Sequence, residues 1–334
     1  MFEIKLQLFA WSEGQAGSHE ANPINVTGNM SPTMKTFYDT TLLENAREQM
    51  VFTQFGKKQP MKGNSIEWRK FNTFDKALTP LTEGVIPTGK TFGMSTVTSE
   101  THQYGDFTAV SDRLELESFD DVIFGATEEM GAAEGATFDT LTRNALIGGN
   151  SVMYCPNGDA EVIGRKALTN ACILTPDVVN KAQTWLKKNK APKIDGCYVA
   201  LIHPSVAYDL RNSEDWKEFH KYNDTTPIFK GEIGMLHGVR FIETNEAKVW
   251  RDETTNTDTS VYATLFLGKD AFGILDPEGE GMEMIVKTKG QIGGPLEQFS
   301  TIGYKFCHGA KILYQERLLR VESGSSFGSV DTAN

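Results

Sequence analysis

The chain has 334 residues, 39% of them apolar and 23% charged, which is enough for a sizeable core and for two or more subdomains. Its formal net charge of −11 argues against a sequence-specific DNA or RNA binder, because a surface of that sign repels phosphate backbones. The four cysteines, Cys155, Cys172, Cys197 and Cys307, have neither Cys-x-x-Cys nor zinc-finger spacing, so buried or neutral thiols are expected.

Phe2, Ile4, Leu6 and Leu8 alternate with polar residues, which fits a short strand or docking arm better than a signal peptide. No segment reaches the ~18 apolar residues of a membrane-spanning helix. Residues 11–32 hold Gly, Ser, Asn and Pro and read as a flexible arm. Phe37, Leu42, Leu43, Ala46 and Met50 then recur at helical spacing, and Gly56 is a plausible stop. Ile66-Glu67-Trp68-Arg69-Lys70-Phe71 alternates with period two and predicts a strand. A loop with Pro80, Gly84, Pro87 and Gly89 follows, and residues 91–110, rich in Thr, Val, Phe and Tyr, predict a second strand. The two form a long excursion. The tip carries Leu78, Pro80, Leu81 and Val85, apolar groups with no local core to fill, and these are the candidate subunit-interface residues.

Ser118 is a good helix N-cap, with Asp120 and Asp121 in the first turn. Phe119, Val122, Ile123, Ala126, Met130, Ala133, Phe138, Leu141 and Ala145 continue at three- and four-residue steps up to Gly148-Gly149, which predicts a helix over 118–148. Gly125, Gly131 and Gly135 inside it each cost about 1 kcal/mol against Ala, so either something packs very close there or the helix is kinked, and close packing is the better reading. Thr175-Pro176-Asp177 opens another helix, ended by Lys187, Lys188 and Lys190, cations that suit a helix C-terminus. The apolar run 197–202 predicts a central strand, and 204–210 a short helix. Strands are expected at 239–243, 262–267 and 282–286, with one bent strand or two over 304–320. The Gly- and Ser-rich tail after Glu322 is expected to be mobile.

Catalytic signatures are missing. The chain has no phosphate-binding Gly-rich loop, no His-Glu-x-x-His and no Gly-x-Ser-x-Gly. His203, before Pro204, could serve as a general base at a strand end, but a histidine that caps the turn is the better reading. His220, His237 and His308 are too scattered to argue a metal site. Asp276, Glu278 and Glu280 share one turn and read as a solvated acidic loop. No catalytic, cofactor-binding or metal-ligating residue is assigned, and no cofactor is expected.

Several segments come in a telling order. They are Lys35-Thr36-Phe37-Tyr38-Asp39, Ile66 to Phe71, Leu81-Thr82-Glu83-Gly84, Gln103-Tyr104-Gly105-Asp106-Phe107, His203-Pro204, Gly238 to Glu243, Gly309 to Leu313, and Glu316-Arg317. Over roughly 33–322 this series resembles the major capsid proteins of tailed bacteriophages, in the N-four-like family. The resemblance implies an α+β fold of the Hong Kong ninety-seven capsid type. Its parts would be an N-terminal arm at 1–32, an N-terminal helix region at 33–56, and an extended loop hairpin at 57–110. The spine helix and peripheral domain would follow at 111–171, the axial domain at 172–285, and the return to the peripheral domain with the C-terminal tail at 286–334.

The implied function is self-assembly, in hexamers and pentamers, into an icosahedral head shell enclosing double-stranded DNA. The DNA would lie in non-specific proximity to the shell. Scaffolding and portal proteins, and a decoration protein, are the implied partners; no membrane is involved. Assembly would take place in the host cytoplasm and the product would be the virion capsid. Some members of this fold cross-link through a loop Lys and an Asn; Lys76 and Lys90 lie on the loop here, no partner Asn is identifiable, and no cross-link is expected. Two other readings stay open on the residues alone. One is a tail-tube or sheath protein, the other an intracellular enzyme with a site around His203 and the Asp276 turn.

Overall fold

A computed structural model describes residues 50–334 apart from 62, 73, 75, 82, 87–88, 113, 115–121, 223–231, 252–253, 256–258, 278–280, 288–290, 292–297 and 328–330. The expected arm, most of the 33–56 helix region, and the cap residues Ser118, Asp120 and Asp121 lie outside the described residues. In chain order the elements begin with a 3₁₀ turn at Phe52–Phe55 and the strands β1 (Lys57–Met61), β2 (Ser65–Phe71), β3 (Met94–Glu100) and β4 (His102–Ser111). Helix α1 (Val122–Ile147), β5 (Val152–Tyr154), α2 (Pro176–Lys188), β6 (Tyr198–Ile202), α3 (Pro204–Asn212) and α4 (Glu214–Tyr222) follow. Then come β7 (Glu232–Leu236), β8 (Val239–Glu243), β9 (Val249–Trp250), β10 (Val261–Leu267), β11 (Phe272–Pro277) and β12 (Glu283–Lys287). The chain closes with β13 (Phe299–His308), β14 (Ala310–Ile312) and β15 (Leu318–Ser323).

The chain divides into two units. The larger comprises Met50–His102, Ala136–Gly281 and Cys307–Asn334. It is built on a seven-stranded sheet of order β5-β15-β10-β6-β8-β7, with β9 added to β10. The central strand β6 is apolar at every position because both its faces are covered, and the faces alternate as a pleated strand requires. Tyr198, Ala200 and Ile202 of β6 join one core with Val178, Ala182 and Leu186 of α2 and Val206 and Leu210 of α3. Val199 and Leu201 join a second core with Phe52, Phe55, Leu146, Phe272 and Ile274. A smaller sheet, β1-β11-β14, and the hairpin β2-β3 complete this unit. The smaller unit, Gln103–Gly135 with Met282–Phe306, holds a sheet of order β12-β13-β4 whose core contains Val110, Ile123, Met284, Val286 and Ile302.

The structure corrects three expectations. Residues 91–110 form two strands, broken at Thr101, because β3 pairs with β2 and β4 belongs to the β12-β13-β4 sheet. Gly125 has open space where a Cβ would stand, so close packing does not explain it; Gly131 and Gly135 are buried. The tail beyond Glu322 is tied down. Ser325 Oγ donates to the Ser205 carbonyl at 2.8 Å, the Ser326 amide donates to Asp209 at 3.0 Å, and Ser205 and Tyr262 hydroxyls donate to the Asp331 carboxylate at 2.8 and 2.5 Å. Asn334 Oδ1 accepts from the Val249 amide at 2.9 Å.

Within the larger unit, Asp139 of α1 accepts from the amides of Val51, Phe52 and Thr53 at 3.0, 2.9 and 3.4 Å, capping the 3₁₀ turn that carries Phe52 and Phe55 into the core. Burial raises its carboxyl pKa to about 6, against the pull of those amides. Asp139→Ala leaves three donors without an acceptor, two of them buried, and urea unfolding should show a loss of roughly 3 kcal/mol. Asp139→Asn, which keeps one acceptor oxygen, should lose less.

His308, at the end of β13, is buried, with its ring 4.3 Å from that of Phe138 and its Nε2 3.3 Å from Thr142 Oγ1. Its Nδ1 has no hydrogen-bond partner among the described residues. Burial lowers its pKa to about 4, so the imidazole is neutral in the fold. The unfolded chain takes up this proton below about 6.5 and the folded chain does not until about 4, so the His308 contribution to stability is lost as pH falls through that window. Asp139 acts in the opposite sense between about 6 and 3.8, where only the folded carboxyl is protonated. Comparing urea midpoints at pH 7 and 4.5, His308→Gln should lose less stability on acidification than the native chain, by up to about 3 kcal/mol.

Candidate assembly surface

The hairpin β2-β3 is in antiparallel register from Ser65↔Glu100 at its base to Phe71↔Met94 at its far end. Its base is closed by the Thr101 amide, which donates to the Asn64 carbonyl at 3.0 Å. Along β2 the alternation read from sequence holds: Ile66, Trp68 and Lys70 are half-buried and their neighbours exposed. Trp68 seats the hairpin on β11, where a Cβ on Gly273 would stand 2.8 Å from the indole. Only glycine lets that strand pass under the ring. Lys70 lies 4.6 Å from the centre of the Tyr314 ring and 3.8 Å from the Glu316 carboxylate.

Beyond Phe71 the support ends. The Asn72 amide donates to the Gly93 carbonyl at 2.9 Å, and past that point no regular structure is assigned among the described residues until β3 begins at Met94. Phe71 and Phe74 flank Phe92, with ring centroids 4.7 and 5.7 Å apart, and all three are exposed. Leu78, Leu81 and Val85 are 84%, 77% and 62% exposed, and Pro80 is exposed too. All four interface candidates therefore sit on one surface loop. Sequence reading missed Ile86, which is 93% exposed beside Val85, and the aromatic trio; the signal was an apolar side chain adjacent to one already chosen.

His203 is the N-cap of α3, its Nδ1 accepting from the Ser205 amide at 3.2 Å. Burial lowers its pKa, while the carboxylates of Asp331 and Glu243 pull it up. This is the capping role rather than that of a base beside a nucleophile. Asp276 pairs with Pro60 in the β1-β11 ladder, and Glu278 and Glu280 lie outside the described residues. Among the described residues no three His, Cys, Asp or Glu side chains could hold a metal ion. No described helix is long and apolar enough to cross a membrane. Cys155 and Cys172 are buried, and burial pushes the Cys155 thiol pKa up, as expected for unreactive thiols.

Residues 94–288 match the family model described as phage capsid protein. The chain belongs to the phage capsid protein family. No curated protein sequence matches it. Among solved structures it is similar to the capsid asymmetric unit of cyanophage Pam1, with a TM-score of 0.65 at 10% identity over 96% of this chain and 100% of that one. It is also similar to the capsid of Ralstonia phage GP4, at 0.63 and 15% over 84% and 89% of the two chains. A third likeness is to the virus-like particle from Pyrococcus furiosus, at 0.51 and 10% over 86% and 99%. These likenesses place the fold in the Hong Kong ninety-seven class. The phage capsid protein is thus a structural protein, not an enzyme, and a major capsid protein of the head shell.

Proposed function

We propose that the loop spanning residues 72–93 docks on a neighbouring copy, with Leu78, Pro80, Leu81 and Val85, together with Ile86, as the contact residues. The observation that carries this is their exposure, 62% to 93% for the four aliphatic side chains. Solvated aliphatic groups clustered on a loop with no core of its own are stabilised by burial against a partner, at about 25 cal/mol per Å². In this reading β2 and β3 are the extended loop, within 57–110, and α1 is the spine helix, within 118–148. Strands β6 to β10 with α2 and α3 form the axial domain, within 172–285, and β5 and β15 extend its sheet from outside those bounds.

Copies join as hexamers and pentamers in a shell around double-stranded DNA, with scaffolding and portal proteins as partners and the host cytoplasm as the place of assembly. A decoration protein belongs to the same scheme. Many modest, overlapping contacts suit such a shell, since linked contacts multiply avidity while each one alone stays reversible. Negative-stain electron microscopy of the bacterially expressed protein, alone and with the products of neighbouring reading frames, tests it. Uniform closed particles are expected. Open tubes in every combination would instead mark a tail component.

A further inference from the structure

The sequence puts Lys187, Lys188 and Lys190 at a helix end, where three cations are unremarkable. The fold brings more positive charge to the same place. Lys190 adopts a left-handed backbone with φ of 56° just past α2, and the chain reverses so that the Ala191 amide donates to the Leu186 carbonyl at 3.0 Å. The Pro192 carbonyl then accepts from the Lys269 amide at 2.9 Å, and the Gly268 amide donates to the Arg317 carbonyl at 2.8 Å. A Cβ on Gly268 would lie 3.1 Å from the Pro192 oxygen and 3.2 Å from the Ala191 Cβ, so glycine permits this close seating of the two turns. Lys187, Lys188, Lys190, Lys193 and Lys269 are thereby gathered at the end of the sheet where β6 and β15 begin and β10 ends.

All five lysines are exposed, and none is ion-paired among the described residues, whereas Lys181 one turn earlier on α2 pairs with Asp177 at 2.7 Å. Arg317 adds a sixth cation, held over the Tyr314 ring at 3.8 Å. Within the turns themselves the carboxylates are Asp195 and Asp270, and Glu316, next to Arg317 in the chain, faces Lys70. Cations therefore outnumber carboxylates here, in a chain whose net charge is −11. No large apolar side chain is exposed between residues 185 and 195 or between 266 and 270. The surface offers point charges without apolar seats, which suits a phosphate backbone better than an acidic peptide whose side chains need pockets.

We infer that this end of the seven-stranded sheet is a sequence-independent contact surface for duplex DNA. The inference rests on the reading that the shell encloses double-stranded DNA, and it assigns this surface to the inner wall. It reverses locally what the overall charge implies: the wall as a whole repels DNA, and this patch holds it.

The test is fluorescence anisotropy of a labelled 30-base-pair duplex of arbitrary sequence, titrated with unassembled full-length protein at 50 to 200 mM salt. If all five amines engage phosphates, the log–log salt slope should approach about −4.5, a fall of roughly 500-fold in affinity across that range. The variant Lys187→Gln, Lys188→Gln, Lys190→Gln should flatten the slope by about 2.7 and weaken binding at 50 mM salt. A control with the same charge change elsewhere, Lys57→Gln, Lys58→Gln, Lys76→Gln, should bind as the native chain does. Circular dichroism melts of both variants check that they fold.

DNA binding that the patch variant leaves intact, or no binding even at 50 mM salt, overturns the proposal. Tighter binding of polyglutamate than of DNA at equal charge overturns it in favour of an acidic protein partner. Shell formation is read separately by microscopy, so failure of this contact and failure of the assembly reading are distinguishable.

Discussion

Glu322→Ala should cost about 3–5 kcal/mol of stability, seen as a large drop in the urea midpoint of the unassembled protein. Glu322 is fully buried in β15 and is the shared anion of two guanidinium groups. Arg165 reaches it through Nε and Nη2, both at 2.8 Å, and Arg320 through Nε at 2.9 Å. Arg165 also lies 3.7 Å from the centre of the Trp250 ring and donates to Thr254 at 3.1 Å, so it ties the 165–167 turn to two other segments. Removing the carboxylate strands two cations in a site with little water, and that penalty, rather than the attraction lost, sets the size of the effect. Glu322→Leu combined with Arg165→Met and Arg320→Met should recover much of the loss, since an apolar set of similar volume has no charge to desolvate. A single variant within 1 kcal/mol of the native chain would mean the network is solvated or rearranges freely.

The parts of this fold legible in the sequence are those whose burial is written into consecutive residues. The run Tyr198–Ile202 is apolar at every position because β6 has a core on each face. Val239–Glu243 is strand at the residues expected. β1 was missed because Lys57–Met61 is polar and contains Pro60; it is an edge strand, tolerated because β11 supplies its pairing on one side only. The break at Thr101 left no trace because β3 and β4 share the same strand-forming composition while pairing with different strands. The tail read as mobile because serine and glycine suggest solvent, yet its hydroxyls and carboxylate find partners more than 60 residues away in sequence, such as Tyr262 for Asp331. Long-range polar pairing of this kind carries no local periodicity. The same limit hid the lysine patch: three of its residues were visible as a helix end, and Lys269 reaches it only through the turn at Gly268.

Leu81→Asp, alone or with Ile86→Asp, should abolish closed particles while leaving the unassembled subunit as stable as the native chain. Both side chains are almost fully solvated in the isolated chain, so an aspartate there removes no intramolecular packing and the urea midpoint should move by less than about 0.5 kcal/mol. In a shell the same position would carry a carboxylate into an apolar contact, where desolvating a charge costs several kcal/mol. That penalty recurs at every copy, so a shell bound by many modest contacts cannot absorb it. Leu81→Met, which keeps size and apolarity, should assemble. Microscopy and sedimentation of the three variants separate the possibilities. Normal shells from Leu81→Asp would place the assembly contact elsewhere, with the aromatic trio Phe71, Phe74 and Phe92 as the next surface to test. Loss of shells in Leu81→Met as well would show that shape at this position, beyond apolarity, decides the fit.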